Sequence, residues 1–168
     1  VFLHGSTYSP QEVAWPGWKF YAAVNFHPSN PIWEDAPELF SYITTVQSFL
    51  QAGAPDNDVL LYWPFHDLFG SFIQGKRMHQ LAIHDLDSWL TGTPFYDAIQ
   101  WLIKQGYGFD YVSDRFLEQI NIENGDLKLP GGNYKALIVS ITKHLPLASL
   151  KKLIALKKSG ATIVFEGL

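Results

Sequence analysis

Apolar and polar positions follow two different patterns along the chain. Residues 1 to about 35 show almost no periodicity, and prolines exclude a long helix or a central strand there: Pro10, Pro16, Pro28 and Pro31. Residues 36–52 change to a helical pattern, with apolar residues three and four positions apart and Gly53 at the expected end. The short polar turn at 55–57 then predicts a domain boundary.

Beyond that boundary, short apolar runs alternate with helical patterns. The runs predict strands at 59–63, 109–112, 136–141 and 161–165, of which 59–63 is expected to be buried on both faces and 136–141 is also expected to be buried. Helices are predicted at 95–104, 114–119 and 147–158, and a hairpin at 120–129 around Asn124-Gly125. This alternation predicts an α/β fold with an open, mostly parallel sheet and helices on both faces, of the Rossmann or flavodoxin type.

The last predicted helix, 147–158, is amphipathic. Its lysines are expected outside, and four apolar residues are expected inside: Leu150, Leu153, Ile154 and Leu156.

Composition narrows the range of partners. Aromatic residues make up 15% of the chain, with six tryptophans, which permits sugar stacking without establishing it. A net charge of −4 with scattered lysines argues against nucleic acid, because no basic stripe is available. The absence of cysteine excludes thiol nucleophiles and disulfides, and no apolar run is long enough to predict a membrane span.

The carboxyl ends of the predicted strands are the first places to look for chemistry. The segment 63–70 has no glycine-rich phosphate motif, which argues against dinucleotide binding. Asp114 is interpreted as a helix cap. The segment 140–146, with His144, lacks the cysteine that glutamine amidotransferase chemistry needs. The two histidines in 79–87 are five residues apart, which fits a solvated loop better than a metal site.

Three residues in the N-terminal part are candidate sugar contacts. Val1–Leu3 predicts a strand that runs into His4, and a polar residue at the carboxyl end of a barrel strand points into the site. Trp15 and Trp18 flank a Pro-Gly turn and could stack on a sugar or pack against neighbouring domains. The nearby carboxylates follow no predicted strand end, so no catalytic pair is assigned: Glu12, Glu34, Asp35 and Glu38.

Taken together, an ordered set of segments resembles glycoside hydrolase family 106, the α-L-rhamnosidases and their relatives. The segments span essentially the whole chain: 2–10, 15–18, 24–26, 30–33, 47–53, 55–62, 109–114 and 160–167. The resemblance implies that residues 1–55 are the C-terminal piece of a catalytic (β/α)-barrel. Residues 56–168 would be the Rossmann-like, amidotransferase-like accessory domain that follows, incomplete at its C-terminal end.

The same resemblance implies an activity for the complete protein. It would remove rhamnose from glycans by an inverting mechanism with two glutamates, expected upstream of this chain, and with calcium at the sugar site. His4, and with it Trp15 and Trp18, would contact substrate. The chain is then a fragment, inactive alone, whose partners are the glycan and the remaining domains of the same polypeptide. The resemblance favours a periplasmic or secreted location.

Two alternatives stay open. The chain could be a non-catalytic module whose α/β domain docks other domains or subunits, because no set of reactive side chains is recognised at its strand ends. It could also belong to a relative that acts on another sugar, such as a β-galactosidase-like enzyme.

Overall fold

A computed structural model describes residues 9–19, 26–70 and 86–166. The chain divides into two compact units, Val1–Ala54 and Pro55–Leu168. His4, the strand predicted at its N-terminal side and most of the segment 79–87 lie outside the described residues. The barrel piece expected at 1–55 therefore stays a prediction.

The first unit contains the predicted helix. A short 3-10 helix, Pro31–Asp35, begins where the Asn30 side chain accepts a hydrogen bond from the Ile32 N–H at 3.1 Å. Helix α1 follows at Ala36–Ala52 and ends at Gly53, as its sequence pattern predicts.

The apolar face of α1 is largely exposed in the structure. Phe49 and Leu50 are 75% and 73% exposed, and Ala36 is the helix's buried residue among those described. Periodicity was therefore sufficient to locate the helix, although its apolar residues do not form a core within the described part of unit 1.

The second unit is built on the predicted parallel sheet. Four strands lie in the order β2-β1-β6-β7: β1 Val59–Tyr62, β2 Phe109–Val112, β6 Ala136–Val139 and β7 Thr162–Phe165. All three neighbouring pairs are parallel. The helices of this unit are α2 Phe65–Gly70, α3 Pro94–Gln105, α4 Asp114–Gln119 and α5 Leu147–Lys158. This confirms the α/β prediction of a parallel sheet flanked by helices.

The central strand β1 is buried on both faces, as its continuous apolar run predicts. Leu60 and Tyr62 belong to the core that contains residues of α4 and α5. Val59 and Leu61 belong to a second core with residues of α3. Alternation along the strand thus assigns α3 to one face of the sheet and α4 and α5 to the other.

Helix α5 corrects one prediction. Leu153 and Leu156 are buried, but Leu150 and Ile154 are 40% and 47% exposed. The third buried residue of this helix is Ser149. Positions 149, 153 and 156 lie on one face at the helical period, whereas 150 and 154 lie one residue further round the helix. The prediction that Leu150 and Ile154 are buried, made from hydrophobicity alone, was therefore wrong.

The predicted hairpin is present and is part of a larger unit. Strands β3 Asn121–Glu123 and β4 Asp126–Leu129 pair antiparallel, and Asn124 and Gly125 make the turn with φ of 55° and 88°. A third strand, β5 Gly132–Tyr134, adds to β4 and was not predicted.

The chain reverses its direction across the sheet at the centre. It runs outward from β1 to β2 through α3 on one face, and from β6 to β7 through α5 on the other. The gap between the carboxyl ends of β1 and β6 is therefore a topological switch point, the position where open α/β sheets bind ligands.

Candidate functional site

Two loops meet at the switch point of the second unit. One is the segment 64–70 after β1, which contains α2, and the other is the segment 140–146 after β6. A cavity of about 330 Å³ lies here, and its wall includes the start of α3. Residues from all three segments line it, among them Pro64, Asp67, Trp89, Phe95, Lys143 and His144.

Asp67 joins the two loops. Its Oδ2 accepts the backbone N–H of Lys143 at 2.6 Å, and its Oδ1 accepts that of His144 at 2.7 Å. The same Oδ1 lies 2.9 Å from Nδ1 of the His144 ring. Because a carboxylate can only accept, this contact places a proton on Nδ1 and turns Nε2 away from Asp67.

A second polar cluster lies one strand away, around Asp114. Its Oδ1 accepts hydrogen bonds from the Tyr62 hydroxyl at 2.7 Å and from the Ser149 hydroxyl. Its Oδ2 lies 3.2 Å from Nε2 of His66. The cluster therefore connects β1, α2, α4 and α5 through one carboxylate.

This geometry corrects the interpretation of Asp114 as a helix cap. Ser113 occupies the N-cap position of α4, and Asp114 is the first helical residue. Burial raises the pKa of Asp114, but hydrogen bonds from Ser149 and Tyr62 and the charge of His66 outweigh it, so the net pKa is lowered. Burial, and then the contact with Asp114, raises the pKa of Tyr62.

The two candidate tryptophans lie together in the first unit. Trp15 and Trp18 are 47% and 56% exposed, and both line a cavity of about 770 Å³. The turn between them is held by Ser9, whose Oγ accepts the Trp18 backbone N–H at 2.7 Å. The pair is thus accessible to a ligand, and packing against neighbouring domains stays open as the other role.

Two of the candidate carboxylates of the first unit lie at the beginnings of helices. Glu34 lies in the 3-10 helix and Glu38 in the first turn of α1, where a carboxylate is favoured in any case. Across residues 9–19, 26–70 and 86–166, no group of three or more His, Cys, Asp or Glu residues could hold a metal. None of the described helices is long and apolar enough to cross a membrane.

Sequence reasoning did not pair the residues that the fold brings together. It identified both strand-end segments, but Asp67 and His144 are 77 positions apart, and no spacing rule connects them. Ser149 received no role either, because a serine in an amphipathic helix carries no signal of a buried contact. No protein-family model, curated protein or solved structure matches this chain.

Proposed function

We propose that this chain is part of a glycoside hydrolase of the α-L-rhamnosidase type, as its resemblance to family 106 implies. Residues 1–55 contribute substrate contacts, and residues 56–168 form an accessory α/β domain. The observation that carries the proposal is the pair Trp15 and Trp18, each about half exposed on one cavity of about 770 Å³.

Such a surface suits a deoxy sugar. L-Rhamnose presents C–H groups and a methyl group that gain from contact with indole rings, while its hydroxyls need hydrogen-bonding partners. Ser9, Gln11, His27 and Ser29 supply polar groups on the same cavity wall. A cavity of this volume exceeds one monosaccharide and leaves room for part of the adjoining glycan.

In this proposal the hydrolytic step belongs to the complete enzyme. One carboxylic acid protonates the leaving glycosidic oxygen, and a second carboxylate activates water on the opposite face of the ring. Both carboxylates are proposed to lie outside this chain. Calcium would act at the sugar site of the complete enzyme, and no ligand for it is assigned among the described residues, which offer no suitable group.

The test is binding of L-rhamnose to the 168-residue chain by saturation-transfer NMR. This readout does not depend on tryptophan fluorescence, so tryptophans can be replaced without losing the signal. We expect transfer to the sugar methyl group that falls at least about threefold in Trp15→Ala and Trp18→Ala, as removal of a stacking ring costs about 1 kcal/mol.

The matched control is Trp101→Ala, since Trp101 is 51% exposed but belongs to the second unit. Transfer that is absent in the wild-type chain, or equally reduced by all three substitutions, would overturn the proposed sugar contact. Hydrolysis of an aryl rhamnoside by the isolated chain at the rate of the complete protein would contradict the placement of the carboxylates elsewhere.

A second candidate function is a non-catalytic docking module. It is favoured by the two carboxylates Asp67 and Asp114. Both accept hydrogen bonds from their own chain, which is a structural role rather than a catalytic one. This candidate predicts no rhamnose binding and no loss of a complete enzyme's activity on Trp15→Ala. A relative that acts on another sugar would instead be revealed by a substrate panel on the complete protein.

A further inference from the structure

The switch-point cavity of the second unit is independent of the tryptophans and has no role in the proposed function. Its volume of about 330 Å³ suits a molecule of a few heavy atoms up to one small ring. Apolar groups form much of its wall, including Leu68, Phe95 and Ile141.

The two charged side chains among the described lining residues, Asp67 and Lys143, are engaged differently. Asp67 is the carboxylate in its wall, and it already accepts hydrogen bonds from two backbone N–H groups and from the His144 ring. Lys143 also lines the cavity and has no ion-pair partner within the described ranges. Among the described lining residues, the Lys143 ammonium is therefore the charged group left for an anionic ligand.

The N-terminus of helix α3 contributes partial positive charge at the same cavity. It has twelve residues and begins at the cavity, where Thr93 is the N-cap and accepts the Tyr96 N–H at 3.1 Å. Phe95 occupies the second helical position, whose N–H has no carbonyl partner inside a helix. The positive end of the helix dipole thus faces the same space as Lys143.

The hydroxyl of Ser140, the residue before the cavity-lining Ile141, has no hydrogen-bond partner among the described residues. Ser140 is 1% exposed, and its Oγ makes no hydrogen bond within the described part of the chain. It directly precedes Ile141, which lines the cavity, and strand alternation assigns it to the same sheet face as Ile138 and α3. An unpartnered hydroxyl at this depth is uncommon, and it remains available to hydrogen-bond a ligand.

We propose that this cavity binds a small organic carboxylate with an apolar body. The carboxylate group lies between the Lys143 ammonium and the N-terminus of α3, and the apolar body contacts Leu68, Phe95 and Ile141. A ligand that binds only the folded state stabilises it. The stability of the second unit would therefore increase with the concentration of this anion.

The experiment uses the complete 168-residue chain labelled with ¹⁵N, titrated with sodium propionate and, separately, with propionamide. The two probes share shape and size, so only the charge differs. We expect propionate to shift the amide signals of Phe95, Lys143 and His144 saturably, with an affinity at least about tenfold higher than that of propionamide. Lys143→Gln should lower the propionate affinity about fivefold or more, while retaining the backbone N–H that Asp67 accepts.

Lys151→Gln is the matched control, because Lys151 is exposed on α5, which packs on the other face of the sheet. Equal affinities for the two probes, or equal losses in both lysine variants, would overturn the proposal. Saturable shifts of the same amides by L-rhamnose but not by propionate would also overturn it and would identify a polyol site instead. A preserved ¹⁵N spectrum of each variant shows that it is folded.

Discussion

Replacement of Asp114 by alanine should destabilise the second unit more than any other single carboxylate change in that helix. The substitution removes the acceptor of two hydroxyls, those of Tyr62 and Ser149, which are 0% and 1% exposed. Each hydroxyl would lose its charged acceptor.

The magnitude follows from these two hydrogen bonds. A hydrogen bond to a charged group contributes about 1.5–3 kcal/mol, so the upper bound for two is about 6 kcal/mol. The Asp114 side chain is 28% exposed, and water can enter where the carboxylate was. We therefore expect a loss of about 2–3 kcal/mol in the free energy of unfolding, a large fraction of the stability of an ordinary domain.

The assay is urea unfolding followed by the NMR signals of Leu61 and Val139, which lie in β1 and β6 and report on the second unit alone. Glu118→Ala is the matched control, since Glu118 is exposed on the same helix and should change stability by less than about 0.5 kcal/mol. Adding Tyr62→Phe to Asp114→Ala should recover part of the loss, because it removes one unpaired hydroxyl. Equal stabilities of the Asp114→Ala and Glu118→Ala chains would refute the reasoning.

Three further predictions concern the same unit. The pKa of Asp114 is lowered in the folded state, so this group stabilises the fold above its unfolded-state pKa of about 3.9. The free energy of unfolding should therefore fall as the pH drops below about 4. Asp114→Asn should flatten that part of the plot of urea midpoint against pH. Burial, and then the hydrogen bond to Asp110, raises the pKa of Tyr134 to about 12. The stability that Tyr134 contributes should therefore be lost as the pH rises from about 10 towards 12. Tyr134→Phe should reduce the loss of folded protein with rising pH, measured by circular dichroism. Gly106 ends α3 with φ of 80°, so Gly106→Ala should lower the free energy of unfolding in urea by about 1 kcal/mol. A loss no larger than that of Gly131→Ala would contradict a role for the left-handed backbone.

Much of the fold could be predicted because its signals are local. The bounds of α1 and α5 follow from apolar periodicity and from stop residues such as Gly53. The continuous apolar run at Val59–Tyr62 predicted a strand buried on both faces, which it is. Helix α2 was missed because Pro64 and two aromatic residues in six positions obscure its periodicity.

The residues of one candidate site could be identified together from the sequence, and those of the others could not. Trp15 and Trp18 could be proposed from sequence because two rings around a short turn must lie near each other. Asp67 could not be paired with His144, nor Asp114 with Tyr62 and Ser149, because these contacts depend on strand order rather than on spacing.

The sequence by itself determined the alternation of strands and helices, the turn at Asn124-Gly125 and the absence of cysteine chemistry. Tertiary structure alone decided that β6 lies beside β1, and with it the position of the switch point. The physical reason is range: hydrophobic periodicity and turn preferences act over a few residues, whereas the pairing of β1 with β6 joins positions more than seventy residues apart. Asp67, His144 and the cavity between them exist only through that pairing.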